Sequence, residues 1–406
     1  MGVPKFKVLK HLNRSSPMRH EYSTITPATV HCLARSVLER TLQFRPYKQS
    51  VTCHQVLDLL LLVAATARTL FAIASRYFDC SHETARKALQ ANLPELDVLT
   101  DRLVNALHAA AAFSRRDRLR LWTVAIDLHY VPYYGSRATA HIVGGQKKQG
   151  TQFFHCYATA VLIHKRRRYT VGLLSVEKGL KPHEQVKALL DQVASRGLKV
   201  GGVVLDAGFD SGETLLLLQE RKVNYTVPLR RKGKGTNRRN ECYSKPSGTL
   251  ATMEWTTEKS RKSVQTRVLV WQRKSETQAK VYAFGGWGEA TAVSEAKRAW
   301  QGRRRYRERF GIETSYRQKN QARGWTTSTS VEYRLLLEGI ALVLRQVWVC
   351  LTQRIAKARG LRPNAWVSEL PLVEMLHWLA DRIRSRYPQT RRIVLPNYTL
   401  TNTAKP

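Results

Sequence analysis

The chain has 406 residues and is 43% hydrophobic, enough for a substantial core and two or three structural units, which excludes a disordered polymer. Lys and Arg total 68 against 30 Asp and Glu, a formal net charge of +38. A surplus this large points to a polyanionic partner bound with steep salt dependence, and phospholipid is disfavoured because no basic amphipathic helix dominates the chain.

Residues 1–50 are mixed and polar and give few clear signals. From about Gln55 to Ala112 the pattern is helical. Within it, residues 70–77, 78–80 and 81–89 read as helix, short turn, helix, with Ser81 as N-cap and Glu83 complementing the positive helix end. His82, Thr84, Arg86 and Lys87 could then meet DNA as a recognition helix does. An ordinary helical hairpin is the equal alternative.

Residues 119–127 read as a strand. Residues 153–164 and 169–176 read as a hairpin around the basic turn 165–168. A helix over 182–195 follows, then a strand over 200–206, a helix over 211–221 and a strand over 223–229. This order predicts an α/β fold, a mixed sheet with helices. Residues 230–289 interrupt it as a β-rich insertion, with strands expected over 249–257, 263–272 and 279–287. The chain is helical again from about Thr291 through Glu313. A last apolar helix over 331–357 carries Leu336, Ile340, Val343, Leu344 and Val347 on one face, and the tail after Pro388 looks weakly structured. The expected units are therefore a helical N-terminal region, 1–115, with a possible DNA-binding helix-turn-helix, a central α/β domain, 116–350, interrupted by the insertion 230–289, and a C-terminal helical region with tail, 351–406.

No membrane span is expected. The run 59–67 is too short, and 335–351 is interrupted by Glu338 and Arg345. The N-terminus lacks a signal core. Six scattered cysteines, without C-x-x-C spacing, read as buried thiols in a reducing cytoplasm.

Three acids stand out against the basic background. Asp127 closes the apolar run 122–126, Asp206 closes 203–205, and Glu313 lies on a helical stretch. Two carboxylates at strand ends plus one on a later helix suit a site that holds two Mg²⁺ ions against a phosphodiester. If the first and fourth strands are parallel neighbours, Asp127 and Asp206 sit side by side. Taken singly, either Asp reads equally as a turn residue. At about 100° per residue, Tyr306, Arg309, Glu313, Tyr316, Arg317 and Asn320 share one helix face, a mixed face suited to DNA phosphate. A solvated helix with an Arg309–Glu313 ion pair is the bland alternative.

Asp127, then Asp206 in Leu205-Asp206-Ala207-Gly208-Phe209-Asp210-Ser211, then Tyr306-x₂-Arg309-x₃-Glu313 resembles the DDE transposases of bacterial and archaeal insertion sequences, the branch with the YREK signature. The likeness spans about residues 119–350. It implies an RNase H-like fold, a mixed sheet flanked by helices with a β-rich insertion before the glutamate helix. It implies two Mg²⁺ (or Mn²⁺) ions on Asp127, Asp206 and Glu313, cleavage of double-stranded DNA at transposon ends, and strand transfer into target DNA by a homodimer. Phosphate contacts would fall to Tyr306 and Arg309. The signature Lys is absent: Asn320 stands there, with Lys319 beside it but off the face. The family also stacks a flipped base on an insertion-domain aromatic, for which Trp287 is the candidate and Trp300 a weaker one.

Asp210 could support the metal ligands or serve as a turn residue, and His129 could orient a metal-bound water or be a satisfied core histidine. The basic loops 165–168, 230–239 and 303–305 would add DNA contacts. A DNA-binding protein derived from a transposase without catalysis, and an RNase H-like nuclease, remain the competing functions. A cytoplasmic, prokaryotic, DNA-associated setting is expected.

Overall fold

The computed structural model describes residues 24–387, apart from 49–50, 79, 165–166, 232, 234–237, 258–260, 274, 287–293, 363–364 and 366. Trp287, the turn residue Asp79, parts of the basic loops at 165–168 and 230–239, and the tail after 387 lie outside the described residues.

Five helices open the structure: α1 (Pro27–Leu42), α2 (Cys53–Ala65), α3 (Leu70–Tyr77), α4 (His82–Asn92) and α5 (Leu96–Ala111). α1 has local causes. The Thr26 side chain accepts from the Thr29 amide, Pro27 presets the first turn, and Val30, Leu33, Ala34, Val37 and Leu38 form a buried stripe at helical spacing. Thr52 and Gln55 form a capping box at the start of α2, and the Ser81 side chain caps α4 by accepting from Thr84 N.

A short α6 (Arg115–Leu119) leads into β1 (Leu121–Pro132), followed by β2 (Ile142–Lys148), β3 (Thr151–His164), β4 (Arg167–Ser175), α7 (Pro182–Ser195) and β5 (Lys199–Leu205). A single 3₁₀ turn, Ala207–Phe209, precedes α8 (Gly212–Glu220), β6 (Asn224–Pro228) and α9 (Arg238–Cys242). Then come β7 (Leu250–Thr256), β8 (Ser263–Trp271), β9 (Lys280–Gly285), α10 (Glu295–Arg309), α11 (Gly311–Asn320), α12 (Val331–Ala358) and α13 (Leu372–Arg384).

Among the described residues, nine strands form one mixed sheet, in the order β2-β3-β1-β5-β6-β9-β8-β7 with β4 also on β3. Helices flank it, so the α/β class and mixed sheet expected from the sequence are what the chain adopts. β1 is longer than its apolar run, because residues 128–132 stay paired with β3 down to Pro132↔Phe154. Asp127 is therefore inside the strand rather than at its end. The strands β7, β8 and β9 extend the same sheet, since β9 pairs antiparallel with β6.

α12 runs through the middle of the molecule and packs on α5, β4, α11 and α2. By length and composition it could cross a membrane, but 94% of its apolar window is buried inside the protein. Gly339 permits its close approach to α5, because a Cβ there would come within 2.6 Å of Leu103. α13 returns to pack on α1 and α2, and Tyr387 donates to the buried Asp58 carboxylate at 2.8 Å, beside His31 at 2.6 Å. Cys156, Cys242 and Cys350 are buried, but Cys32 is exposed, and Cys53 and Cys80 are half-buried; none of the six is in a disulfide.

Buried histidines give the fold a pH dependence. Burial holds His108 down at about 3 against the pull of the Val171 carbonyl, which its Nε2 meets at 2.9 Å. Burial likewise lowers His155 to about 4, assisted by Arg334. Both take up protons more readily when unfolded, where histidine titrates near 6.5. Their contribution is complete above that pH and is lost as pH falls from 6.5 toward 4. His129, buried and held near 3, is a third such group, while Asp127, held up near 6, works in the opposite sense. The net is about two protons, so unfolding free energy should fall by about 2–3 kcal/mol per pH unit in that window, as read by urea denaturation at a series of pH values.

Candidate active site

The parallel pairing of β1 with β5 sets Ile126 opposite Leu205. The next residues, Asp127 and Asp206, are thereby brought side by side. Asp127 lies between two strands, opposite Thr159 of β3, and is nearly buried; Asp206 opens the 3₁₀ turn and is more accessible.

Arg309, at the end of α10, joins them. One guanidinium nitrogen is 3.0 Å from Asp127 Oδ2 and another is 3.3 Å from Asp206 Oδ1. Its charge is opposed by burial but held up by Asp127, Tyr306 and Asp206, so its pKa stays raised. Its Nε is buried without a hydrogen-bond partner. The Tyr306 and Phe310 rings lie 5.3 and 5.5 Å from the guanidinium carbon. Burial pushes the Asp127 carboxyl up to about 6; Arg309 opposes this, and the negative charges of Asp206 and Glu313 add to it.

Glu313 is exposed on the first turn of α11, close enough to Asp127 for that electrostatic effect. Phe310 alone separates α10 from α11, and its backbone stays right-handed helical. The Arg168 guanidinium from β4 donates to the Glu308 carbonyl and leans against Gly311, where a Cβ would be 2.8 Å from its Nε. The single mixed face expected from Tyr306 to Asn320 is not formed. Tyr306, Arg309 and Tyr316 turn inward, while Glu313, Arg317 and Asn320 face solvent.

Tyr316 is a strut rather than a surface group. Its hydroxyl meets Thr159 Oγ1 at 2.7 Å and donates to the Asp127 carbonyl at 3.2 Å, and its ring lies 4.8 Å from that of His129. Burial raises its hydroxyl well above the usual range. His129 is itself buried, pushed down to about 3 by burial and by Lys319, with Nε2 unpartnered. Asp210 is engaged in structure: Arg239 reaches it at 2.5 Å and the Arg230 amide donates to it at 2.9 Å. Trp300 is partly exposed and stacks edge-on against Trp271, 4.7 Å away, with Arg303 over the Trp271 face.

Lys319 does not replace the missing signature lysine. It is fully buried and its ammonium is held by both Glu338 oxygens on α12, one at 2.5 Å. Burial draws Lys319 down to about 8, while Glu338, despite its own burial, is pulled below the carboxylate range by Lys319. This buried pair was not foreseen from sequence. The signal was Glu338 itself, an acid in the middle of an apolar helix, which needs a partner.

The donor set fits a hard divalent cation. Asp127, Asp206 and Glu313 offer only carboxylate oxygens, and a guanidinium already supplies positive charge between the first two. A second group of possible metal donors, Glu39, Cys53 and His54, lies at the protein surface, its ligand atoms within 4.8 Å of one another.

Residues 120–344, more than half of the chain, match the family model for the transposase DDE domain. The chain belongs to that family. No curated protein matches the chain. Among solved structures, the cryo-EM structure of the piggyBac transposase synaptic complex with hairpin DNA is similar, with a TM-score of 0.56 at 13% identity, covering 90% of this chain and 81% of that one. At that identity the likeness is one of fold. It extends beyond the DDE domain into the flanking helices, since the family match covers only 120–344.

Proposed function

We propose that this chain is a DNA transposase of a prokaryotic insertion sequence, acting in the cytoplasm as a homodimer on double-stranded DNA. In this reading it hydrolyses a phosphodiester at each transposon end and then joins the freed 3′-hydroxyl to target DNA. The observation that carries it is the pair Asp127 and Asp206, adjacent across the parallel strands β1 and β5 and sharing one guanidinium.

Asp127, Asp206 and Glu313 would hold the divalent ions, Mg²⁺ or Mn²⁺. Bound there, the metal would lower the pKa of the attacking water and neutralise charge on the attacking and leaving oxygens. Arg309 has a second task. Its guanidinium opposes the burial that raises the Asp127 carboxyl and, once freed from the carboxylates, can clamp a DNA phosphate bidentately. Tyr306 packs beside it and fixes its approach. Arg317 and Asn320, exposed on α11, supply phosphate contacts, Asn320 without the charge that lysine would bring. Tyr316 contributes by holding the glutamate helix to β1. The α3–α4 hairpin is the proposed recognition element for the transposon end, with residues 116–350 as the catalytic domain between helical flanks.

The test uses the full chain, Mg²⁺ and a duplex carrying the inverted repeats that flank its own coding region. Cleavage at the repeat end followed by joining to a target plasmid is expected. Binding with no cleavage under any divalent metal would make it a DNA-binding protein, and cutting without joining would make it a nuclease.

A further inference from the structure

Beyond the carboxylates lies a second feature that the DDE site does not use. Trp325 follows the glutamate helix and its indole is 64% exposed, although its backbone is fixed. The Trp325 amide donates to the Arg68 carbonyl at 3.1 Å, in a bridge to Thr69. Gly324 before it packs so closely that a Cβ would come within 2.5 Å of Val63 Cγ1. Arg334 braces the loop that follows, donating to the carbonyls of Ser328 at 2.5 Å and Thr326 at 3.4 Å. An aromatic ring held in water on a rigid backbone is a stacking platform with little ordering left to lose.

Two clefts meet at this ring. One, of about 410 Å³, includes Phe71, which is 66% exposed; the other, of about 530 Å³, includes Tyr134, which is 72% exposed. The second begins at Val131 and Pro132, four residues along β1 from Asp127, or about 13 Å. Arg323 lines it and forms no salt bridge among the described residues. The one carboxylate lining either cleft among those residues, Glu338, is already neutralised by Lys319. Exposed π-faces spaced along a groove with uncompensated positive charge suit one ligand chemistry, a single polynucleotide strand whose bases stack while its phosphates meet arginine.

We propose that the cleft at Trp325 binds a single strand of DNA leading away from the carboxylates, with one nucleobase stacked on the Trp325 indole and its phosphate facing Arg323. The inference rests on the transposase reading and adds a strand-binding site to it. Phe71 and Tyr134 continue the track on either side.

The experiment measures binding of the full-length protein to oligodeoxythymidine about 12 nucleotides long and to an abasic strand of the same length, at fixed salt. Wild type should bind the thymidine strand roughly tenfold or more tightly than the abasic one. Trp325→Ala should remove that difference, Trp325→Phe should keep most of it, and Arg323→Ala should weaken both strands alike. Circular dichroism melts check that the variants fold; the substituted side chain is exposed and the Arg68 contact is made by backbone. Equal binding of the two strands by wild type, or a Trp325→Ala variant that retains the difference or weakens both strands alike, overturns the proposal. So does loss of self-association in Trp325→Ala with unchanged DNA binding, which would assign the cleft to a protein partner. Failure of wild type to bind duplex transposon ends would instead overturn the transposase reading itself, so the two failures are distinct.

Discussion

Asp206→Ala is expected to lower metal-dependent cleavage of transposon-end DNA by on the order of 10³-fold or more, about 4 kcal/mol of barrier, while a gel shift with the same DNA persists. The reason is geometric. Asp206 is the more accessible of the adjacent carboxylates, and without it Asp127, nearly buried and already engaged by Arg309, is left to anchor a cation with Glu313 alone. Retained cleavage by Asp206→Ala would sink the assignment of this site. A companion variant separates catalysis from electrostatics. Arg309→Met removes the guanidinium that lies between Asp127 and Asp206, leaving a buried carboxylate beside another of like charge. Metal-free Arg309→Met should lose about 3 kcal/mol of stability. Mg²⁺ should restore more of it than it adds to wild type, because an ion that binds only the folded state stabilises by mass action. Thermal melts with and without Mg²⁺ read this without any activity assay. An equal Mg²⁺ shift in both proteins would mean that Arg309 and the metal do not answer the same charge.

Much of this site could be read from the residues because its logic is local. Apolar runs that end in Asp mark strands, and parallel pairing of the first and fourth expected strands is enough to make Asp127 and Asp206 neighbours. What escaped the sequence reading was set by distant contacts. Arg168, some 140 residues earlier in the chain, donates to the Glu308 carbonyl where α10 gives way to α11. Periodicity grouped Tyr316 with Glu313, and both do lie on the one helix α11, but Tyr316 packs against Thr159 and Asp127 of the sheet and is buried, while Glu313 is exposed. β1 overran its apolar stretch because backbone pairing to β3 continued through Asp127 to Pro132.

Two of the missed elements escaped for opposite reasons. α1 carries a Thr-Pro start and an apolar stripe, signals that were present but diluted by the polar residues before them. β2, Ile-Val-Gly-Gly-Gln-Lys-Lys, has almost no strand character and exists because the exposed edge of β3 accepts it. Trp325 also passed unnoticed, because a lone aromatic after a helix gives no hint that its backbone will be clamped and its ring left in water.

Lys319→Met should destabilise the protein by about 3–5 kcal/mol, the largest stability loss expected of a single substitution here. The change removes one charge from a fully buried pair and strands the Glu338 carboxylate inside α12 without a cation. Lys319→Met with Glu338→Leu should recover most of that loss, because a desolvated ion pair exchanged for apolar side chains of similar size is often neutral or better. Denaturant titrations of wild type, both single variants and the double variant give the coupling directly. The same set addresses function. The pair ties α11, which carries Glu313, to the central helix α12. If Lys319 acts only by fixing α11, the double variant should regain transposon-end cleavage along with stability. If it recovered its fold but stayed inactive with weakened DNA binding, Lys319 would be a phosphate ligand that leaves Glu338 for DNA, and the exposed Asn320 would not be the group that meets the backbone at that place.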